Sequence, residues 1–168
     1  YRRTCYAGDY TGQAILKTLV DKVTRLHIPI KDTEYVTGLL VENNICFGAV
    51  TFNIKTGNKT VLLADSVVLA TGGHTRIWKR SSSRKHENHG DGLYLGLNVG
   101  CQLIDMEMVQ FHPTGMLSPE EHAGTLVTEA VRGEGGQLLN SKGERFMKNY
   151  DSERLELSTR DRIALANY

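Results

Sequence analysis

The feature that most limits what this chain can fold into is the run Val67-Val68-Leu69-Ala70, followed at once by Thr71-Gly72-Gly73. An unbroken apolar run suits a strand buried on both faces, as in a parallel sheet covered by helices. Glycines directly after such a strand let the backbone approach a ligand closely, because no β-carbon stands in the way. The segments before it fit a layered α and β architecture. Tyr35 to Glu42, Ile45 to Lys55 and Thr60 to Ala70 read as strands, separated by the turn-forming Asn43-Asn44 and Thr56-Gly57-Asn58. They predict a three-stranded antiparallel meander whose last strand carries the apolar run. Upstream, Ile15, Leu16, Leu19, Val20, Val23 and Leu26 fall on one helical face, with Thr11 or Asp9 placed to cap the start and Pro29 to close the end.

After the glycines the chain changes character. Arg76 to His89 is polar and basic and reads as a surface loop, while Gly92 to Gly100 predicts a short helix carrying Leu93, Leu95 and Leu97. Beyond Met106 the sequence is rich in loops, with a helix expected over Thr125 to Arg132 and a final one from Ser158. A boundary is expected between residues 1–104 and 105–168, near Leu103 to Met108.

Composition narrows the function classes. The 168 residues carry 20 basic against 19 acidic side chains, so no global charge selects nucleic acid or an anionic membrane. No apolar stretch approaches the roughly 20 residues of a membrane helix. Cys5, Cys46 and Cys101 are odd in number, widely spaced and without a C-x-x-C pair, which suggests buried reduced thiols rather than a disulfide framework or a zinc site. The chain opens at Tyr1 with no leader and stops within a helix-like run, so an excised segment is expected.

Several motifs are weaker than they look. Gly90-Asp91-Gly92 with Gly96 follows a charged loop rather than a strand, so it is not read as a dinucleotide fingerprint. Gly133-Glu134-Gly135-Gly136 lacks the Gly-Lys-Ser/Thr of a phosphate loop. His86, His89 and Asp91 have a spacing that could hold a metal, but solvated loop histidines are the commoner outcome, and no metal site is expected. Arg76, Lys79, Arg80, Arg84 and Lys85 could touch phosphates, though a simply solvated loop explains them as well. Thr128, Glu129 and Arg132 share one helical turn, where a hydroxyl, a carboxylate and a guanidinium can converge. On a bare helix that spacing is only a solvated pair.

Taken together, Leu69-Ala-Thr-Gly-Gly73, Gly90-Asp-Gly92, Asp105-Met-Glu-Met-Val-Gln-Phe-His-Pro-Thr-Gly115, Thr128-Glu-Ala-Val-Arg-Gly-Glu-Gly-Gly136, Gly143-Glu-Arg-Phe-Met147 and Arg160-Asp161 resemble one family in order and spacing. It is the flavoprotein subunit of succinate dehydrogenase and fumarate reductase, together with L-aspartate oxidase. The resemblance runs from Arg2-Arg3-Thr4 and the Thr11-Gly12 helix to the last helix. It implies part of an FAD-binding α/β (Rossmann-like) domain, followed by the first part of a capping domain that closes over the flavin. It further implies FAD contacts at Ala70, Thr71, Gly72, Gly73 and Asp91, a dicarboxylate held by His112 and Thr128, and Arg160 as proton donor or acceptor, with Glu129 and Arg132 at relay positions. Members that act on succinate and fumarate usually pair with an iron–sulfur subunit, which would place the protein in the cytoplasm, peripheral on the inner membrane face. Aspartate oxidase works without such a partner. Pro113-Thr114-Gly115 matches the succinate and fumarate members slightly better. An L-aspartate oxidase segment and a non-catalytic binding or assembly module are the alternatives. Residues 74 to 89 depart from the commoner family sequences.

Overall fold

The computed structural model describes residues 5–168, so Arg2-Arg3-Thr4 lie outside the described residues. Helix α1 spans Thr11–Arg25. Tyr10 rather than Thr11 or Asp9 occupies the cap position. The Thr11 hydroxyl instead accepts the Ala7 N–H at 3.0 Å and donates to the Gly8 carbonyl at 3.1 Å, which folds the approach to the helix back on itself. At the other end the Leu26 N–H reaches the Lys22 carbonyl and His27 turns to φ +52°, two residues before Pro29. The apolar face of α1 is formed as expected, yet Ile15, Leu16, Leu19 and Val20 are exposed.

The meander is built from β1 (Glu34–Glu42), β2 (Ile45–Asn53) and β3 (Lys59–Leu63), paired antiparallel in the order β1-β2-β3. Asn43 and Asn44 both have positive φ, and Glu42 pairs with Ile45, the geometry in which a two-residue turn follows the twist of its strands. Gly48 lies so close to β3 that a β-carbon there would stand 2.3 Å from the Leu62 carbonyl oxygen. Buried Thr51 donates to the Glu34 carboxylate at 2.7 Å and Asn53 donates at 3.0 Å, closing the open end of the hairpin.

The expected extension of the last strand to Ala70 is not present. β3 stops at Leu63, one further bond joins the Ala64 N–H to the Phe47 carbonyl, and residues 65–74 form no strand. A strand exists through its hydrogen-bonded neighbours. Among the described residues no strand lies beside Val67 to Ala70, and Val68 is 85% exposed. The apolar run thus forms no strand, and Val68 to Ala70 are exposed.

Helix α2 spans Asp91–Asn98, starting from Gly90 at φ +85°. It buries Leu95 and Gly96, leaves Leu97 exposed and packs on β1. Residues 105–168 contain α3 (Glu129–Gly133), α4 (Arg160–Asn167) and 3-10 turns at Glu120–His122, Phe146–Asn149 and Leu155–Leu157. Their core is Met147, Ile163 and Ala166, with Leu138 and Phe146 packed against it. The helix expected over Thr125 to Arg132 shrinks to α3, because Thr125 to Val127 is extended and paired with Thr114 to Met116. The last helix begins at Arg160 instead of Ser158, whose hydroxyl is held by Asp151 at 2.6 Å.

All three cysteines are free, but Cys5 and Cys101 are exposed and Cys46 is only partly covered, so the expected burial is wrong. Cys5 precedes α1 and Cys101 follows the end of α2, positions that no described layer covers. Among the described residues no three metal-ligating side chains converge. His89 hydrogen-bonds the Lys85 carbonyl at 3.0 Å, and Asp91 faces Tyr35. No helix of the described residues is long and apolar enough to cross a membrane.

Candidate functional site

The first cluster is made of backbone. Gly72 sits at φ +78°, where a β-carbon would meet the Asn88 side-chain oxygen at 2.9 Å. That same oxygen accepts the Gly73 N–H at 2.8 Å, and the Gly90 N–H reaches the Gly73 carbonyl at 3.2 Å. The Thr71-Gly72-Gly73 turn is thereby pinned to the start of α2. Gly92 packs directly under Thr71, since a β-carbon there would stand 2.3 Å from the Thr71 hydroxyl oxygen. Leu69 to His74, with Gly90, Gly92 and Leu93, line a hollow of about 310 Å³. Asp91, the first residue of α2, accepts the Tyr35 hydroxyl at 2.9 Å, a bond that raises the tyrosine's pKa.

A hollow walled by glycine backbone is suited to a flat or phosphorylated ligand that must come close to the main chain. The residues present therefore fit a flavin nucleotide. They fit it as one wall, because 310 Å³ lies at the lower limit of small-ligand sites and the chain holds no Gly-x-Gly-x-x-Gly.

The second cluster is made of charged side chains. A short ladder joins Thr114 to Met116 with Gly124 to Val127: the Val127 N–H bonds the Thr114 carbonyl at 2.9 Å, and the Thr114 hydroxyl bonds the Val127 carbonyl at 2.8 Å. It sets His112 beside the start of α3, where Thr128 occupies the cap position with an exposed hydroxyl that makes no capping bond. Arg160, at the start of α4, donates from Nε to Glu129 at 3.1 Å and from Nη1 to Gln110 at 3.4 Å. Arg132 approaches the same Glu129 oxygen at 3.9 Å. Asn167, at the far end of α4, bonds the Pro113 carbonyl and ties the helix to the ladder.

The electrostatics follow from this grouping. Burial lowers the His112 pKa, and the positive charges of Arg160 and Arg132 lower it further. Its Nδ1 accepts the Thr114 N–H at 3.2 Å, so the neutral ring keeps its proton on Nε2. Arg132 is 4% exposed, whereas the Arg160 side chain is 44% exposed. One arginine is sealed in and the other faces outward.

Of the residues expected from the sequence, the structure brings Glu129, Arg132 and Arg160 into contact, sets His112 and Thr128 near them, and gathers Ala70 to Gly73 separately, while the Asp91 carboxylate binds the Tyr35 hydroxyl and does not line that hollow. Sequence reasoning missed Gln110, which lies inside the Asp105 to Gly115 motif, and Asn88, which nothing in its local pattern marks. It also missed the support behind Arg132. Glu156, 2% exposed, accepts Arg145 at 2.9 and 3.1 Å and the Leu138 N–H at 3.2 Å, while its carbonyl accepts Arg132 Nη1 at 2.8 Å.

Comparison with known proteins places this arrangement. A family model described as an FAD binding domain matches residues 1–167. One of the subunits of the CoM/CoB fumarate reductase from Methanothermobacter marburgensis is 49% identical over 168 residues, covering 100% of this chain and 30% of that protein. A succinate dehydrogenase flavoprotein subunit from Rickettsia bellii is 42% identical over 165 residues, covering 98% of this chain and 27% of that protein. A glutamate-to-glutamine mutant of E. coli quinol fumarate reductase superposes with a TM-score of 0.87 at 35% identity, over 98% of this chain and 29% of that one. The chain thus spans under a third of the length of these relatives.

Proposed function

The chain belongs to the FAD binding domain family, among the flavoprotein subunits of succinate dehydrogenase and fumarate reductase and L-aspartate oxidase, and from that membership we propose that it is the central part of an FAD-dependent oxidoreductase interconverting succinate and fumarate. Residues 1–104 then belong to the FAD-binding domain and residues 105–168 to the capping domain. Ala70, Thr71, Gly72, Gly73 and Asp91 would hold the cofactor. Bound FAD supplies the hydride donor or acceptor at its N5.

The protein's own part is to hold the dicarboxylate and to move one proton. Neutral His112 donates from Nε2, and the exposed Thr128 hydroxyl adds a second donor, both suited to a substrate carboxylate. In fumarate reduction one carbon gains the hydride and Arg160 gives a proton to the other; in succinate oxidation Arg160 takes that proton back. An arginine, with a pKa above about 12, is a poor acid unless it is aimed and then reprotonated. Gln110 and Glu129 aim it, and Glu129 with Arg132 behind it provides the return path. The observation that carries the reading is the exposed Arg160 bound at 3.1 Å to Glu129, which also faces buried Arg132. A flavin wall incomplete in these residues also means that the isolated 168 residues should bind FAD poorly.

The fumarate reductase and succinate dehydrogenase names of the relatives described above and the Pro113-Thr114-Gly115 sequence favour fumarate and succinate over L-aspartate. An iron–sulfur subunit is the proposed partner, and a cytoplasmic position, peripheral on the inner membrane face through partner subunits, goes with it. The test is to assay the full-length protein with fumarate, succinate and L-aspartate, and then its Arg160→Lys variant. Turnover of the four-carbon pair should fall about 10²–10⁴-fold in the variant with KM changed only a few-fold. Unchanged turnover would remove Arg160 from the reaction, and activity with L-aspartate alone would move the protein to the other branch of the family.

A further inference from the structure

We infer that Glu156 is a positioning residue for the proton-transfer cluster, fixing Arg132 and through it the Glu129–Arg160 pair. The inference rests on the reading of Arg160 as the proton-transfer group. Arg132 is sealed from solvent, and its Nε and Nη2 have no hydrogen-bond partner among the described residues. Its bond from Nη1 to the Glu156 carbonyl, at 2.8 Å, is therefore what aims the guanidinium toward Glu129. A buried guanidinium held at one corner can swing unless that acceptor is rigid.

The acceptor is held from several sides. The Glu156 carboxylate takes both Nε and Nη2 of Arg145 and the Leu138 N–H, and these bonds, Arg145 first, hold its pKa down at about 2, so it stays ionised. Leu155, immediately before it, sits at φ +51°, a conformation that a leucine keeps only where its surroundings impose it. On the other flank Asp151 grips the Ser158 hydroxyl and the Arg154 N–H. The turn ends three residues before Arg160. The same small unit thus presents a carbonyl to Arg132 and launches the helix that carries Arg160. Without the carboxylate, the strained turn can relax and withdraw the carbonyl, leaving Arg132 buried and unbound.

The test uses the full-length flavoprotein, with rates expressed per bound flavin. Glu156→Gln should lower kcat about tenfold or more, leave KM within about twofold and shift one limb of the kcat–pH profile by about half a unit. Arg145→Met should act in the same direction, and the double variant should be no slower than Glu156→Gln alone, because both changes break one contact. A normal kcat per flavin with an unchanged pH profile, even in a less stable variant, would overturn the inference and leave Glu156 a purely structural residue. If Glu156→Gln does not fold, Arg145→Met decides by the same readouts, its side chain being partly exposed. Arg160→Lys is measured in parallel. Retained turnover there removes the premise and the inference together, whereas collapse there beside a normal Glu156→Gln removes the inference alone.

Discussion

The glycine turn at residues 70–73 and the arginine cluster around residue 160 are built by opposite means. At the turn the useful feature is missing side chains: Gly72 and Gly92 leave room that a β-carbon would fill, and the polar groups offered are main-chain ones. At the cluster the charged groups are side chains, with two arginines sharing one carboxylate, one of them anchored on the Glu156 carbonyl, and a third arginine binding the Glu156 carboxylate. The contrast teaches how each region fails. A close-packed glycine turn is lost by adding atoms, and a cluster of charged side chains by removing them.

The largest effect is expected at the small core of residues 105–168. Met147 is fully buried against Ile163, so Met147→Ala should cost about 2–5 kcal/mol. Amide hydrogen exchange in the full-length protein should show the loss over residues 138–166 and leave β1 to β3 protected; uniform loss would mean that the two regions are one cooperative unit. Acid tests the same region more gently. The Glu156 pKa is held at about 2 against an ordinary 4.5, so its contribution, on the order of 3 kcal/mol, is complete above about pH 4.5 and fades as the pH falls toward 2. Exchange protection around Leu138 should fall in that window in the native protein, and it should show no such step in Glu156→Gln.

In the first region Gly48→Ala should cost about 1–3 kcal/mol, because its β-carbon would overlap the Leu62 carbonyl and push β3 away. Protection of β3 amides should drop while that of α4 is untouched. Tyr35→Phe is the mildest change. It removes the bond to Asp91, at an exposed site, for about 0.5–1 kcal/mol. Weaker FAD binding with unchanged β1 protection would show that the tyrosine orients Asp91; unchanged binding would show that it does not.

Much of the fold was legible because it is local. The helix at Thr11–Arg25 follows from its apolar spacing and the hairpin turn from Asn43-Asn44. Val67 to Ala70 misled for a physical reason: the pattern records the environment of a strand, whereas the strand itself needs a neighbour, and none is present among the described residues. The helix expected over Thr125 to Arg132 lost its first half to pairing with Thr114 to Met116, a contact between segments that no window of sequence contains. At the site, the i,i+3 spacing marked Glu129 and Arg132, but only the family resemblance pointed to Arg160. Arg145 lies within the Gly143 to Met147 motif and Glu156 within none. Their meeting joins residues 11 positions apart across two turns, which local periodicity cannot register.

The most direct measurement takes Gly72→Ala and Arg160→Lys in the full-length protein and determines, for each, the flavin bound per chain and the turnover per bound flavin. We predict a crossed result. Gly72→Ala loses flavin but keeps its rate per flavin, and Arg160→Lys keeps its flavin but loses the rate. Variants that lose both quantities together, or the opposite pairing, would contradict the proposed division between a cofactor wall made of backbone and a proton relay made of side chains.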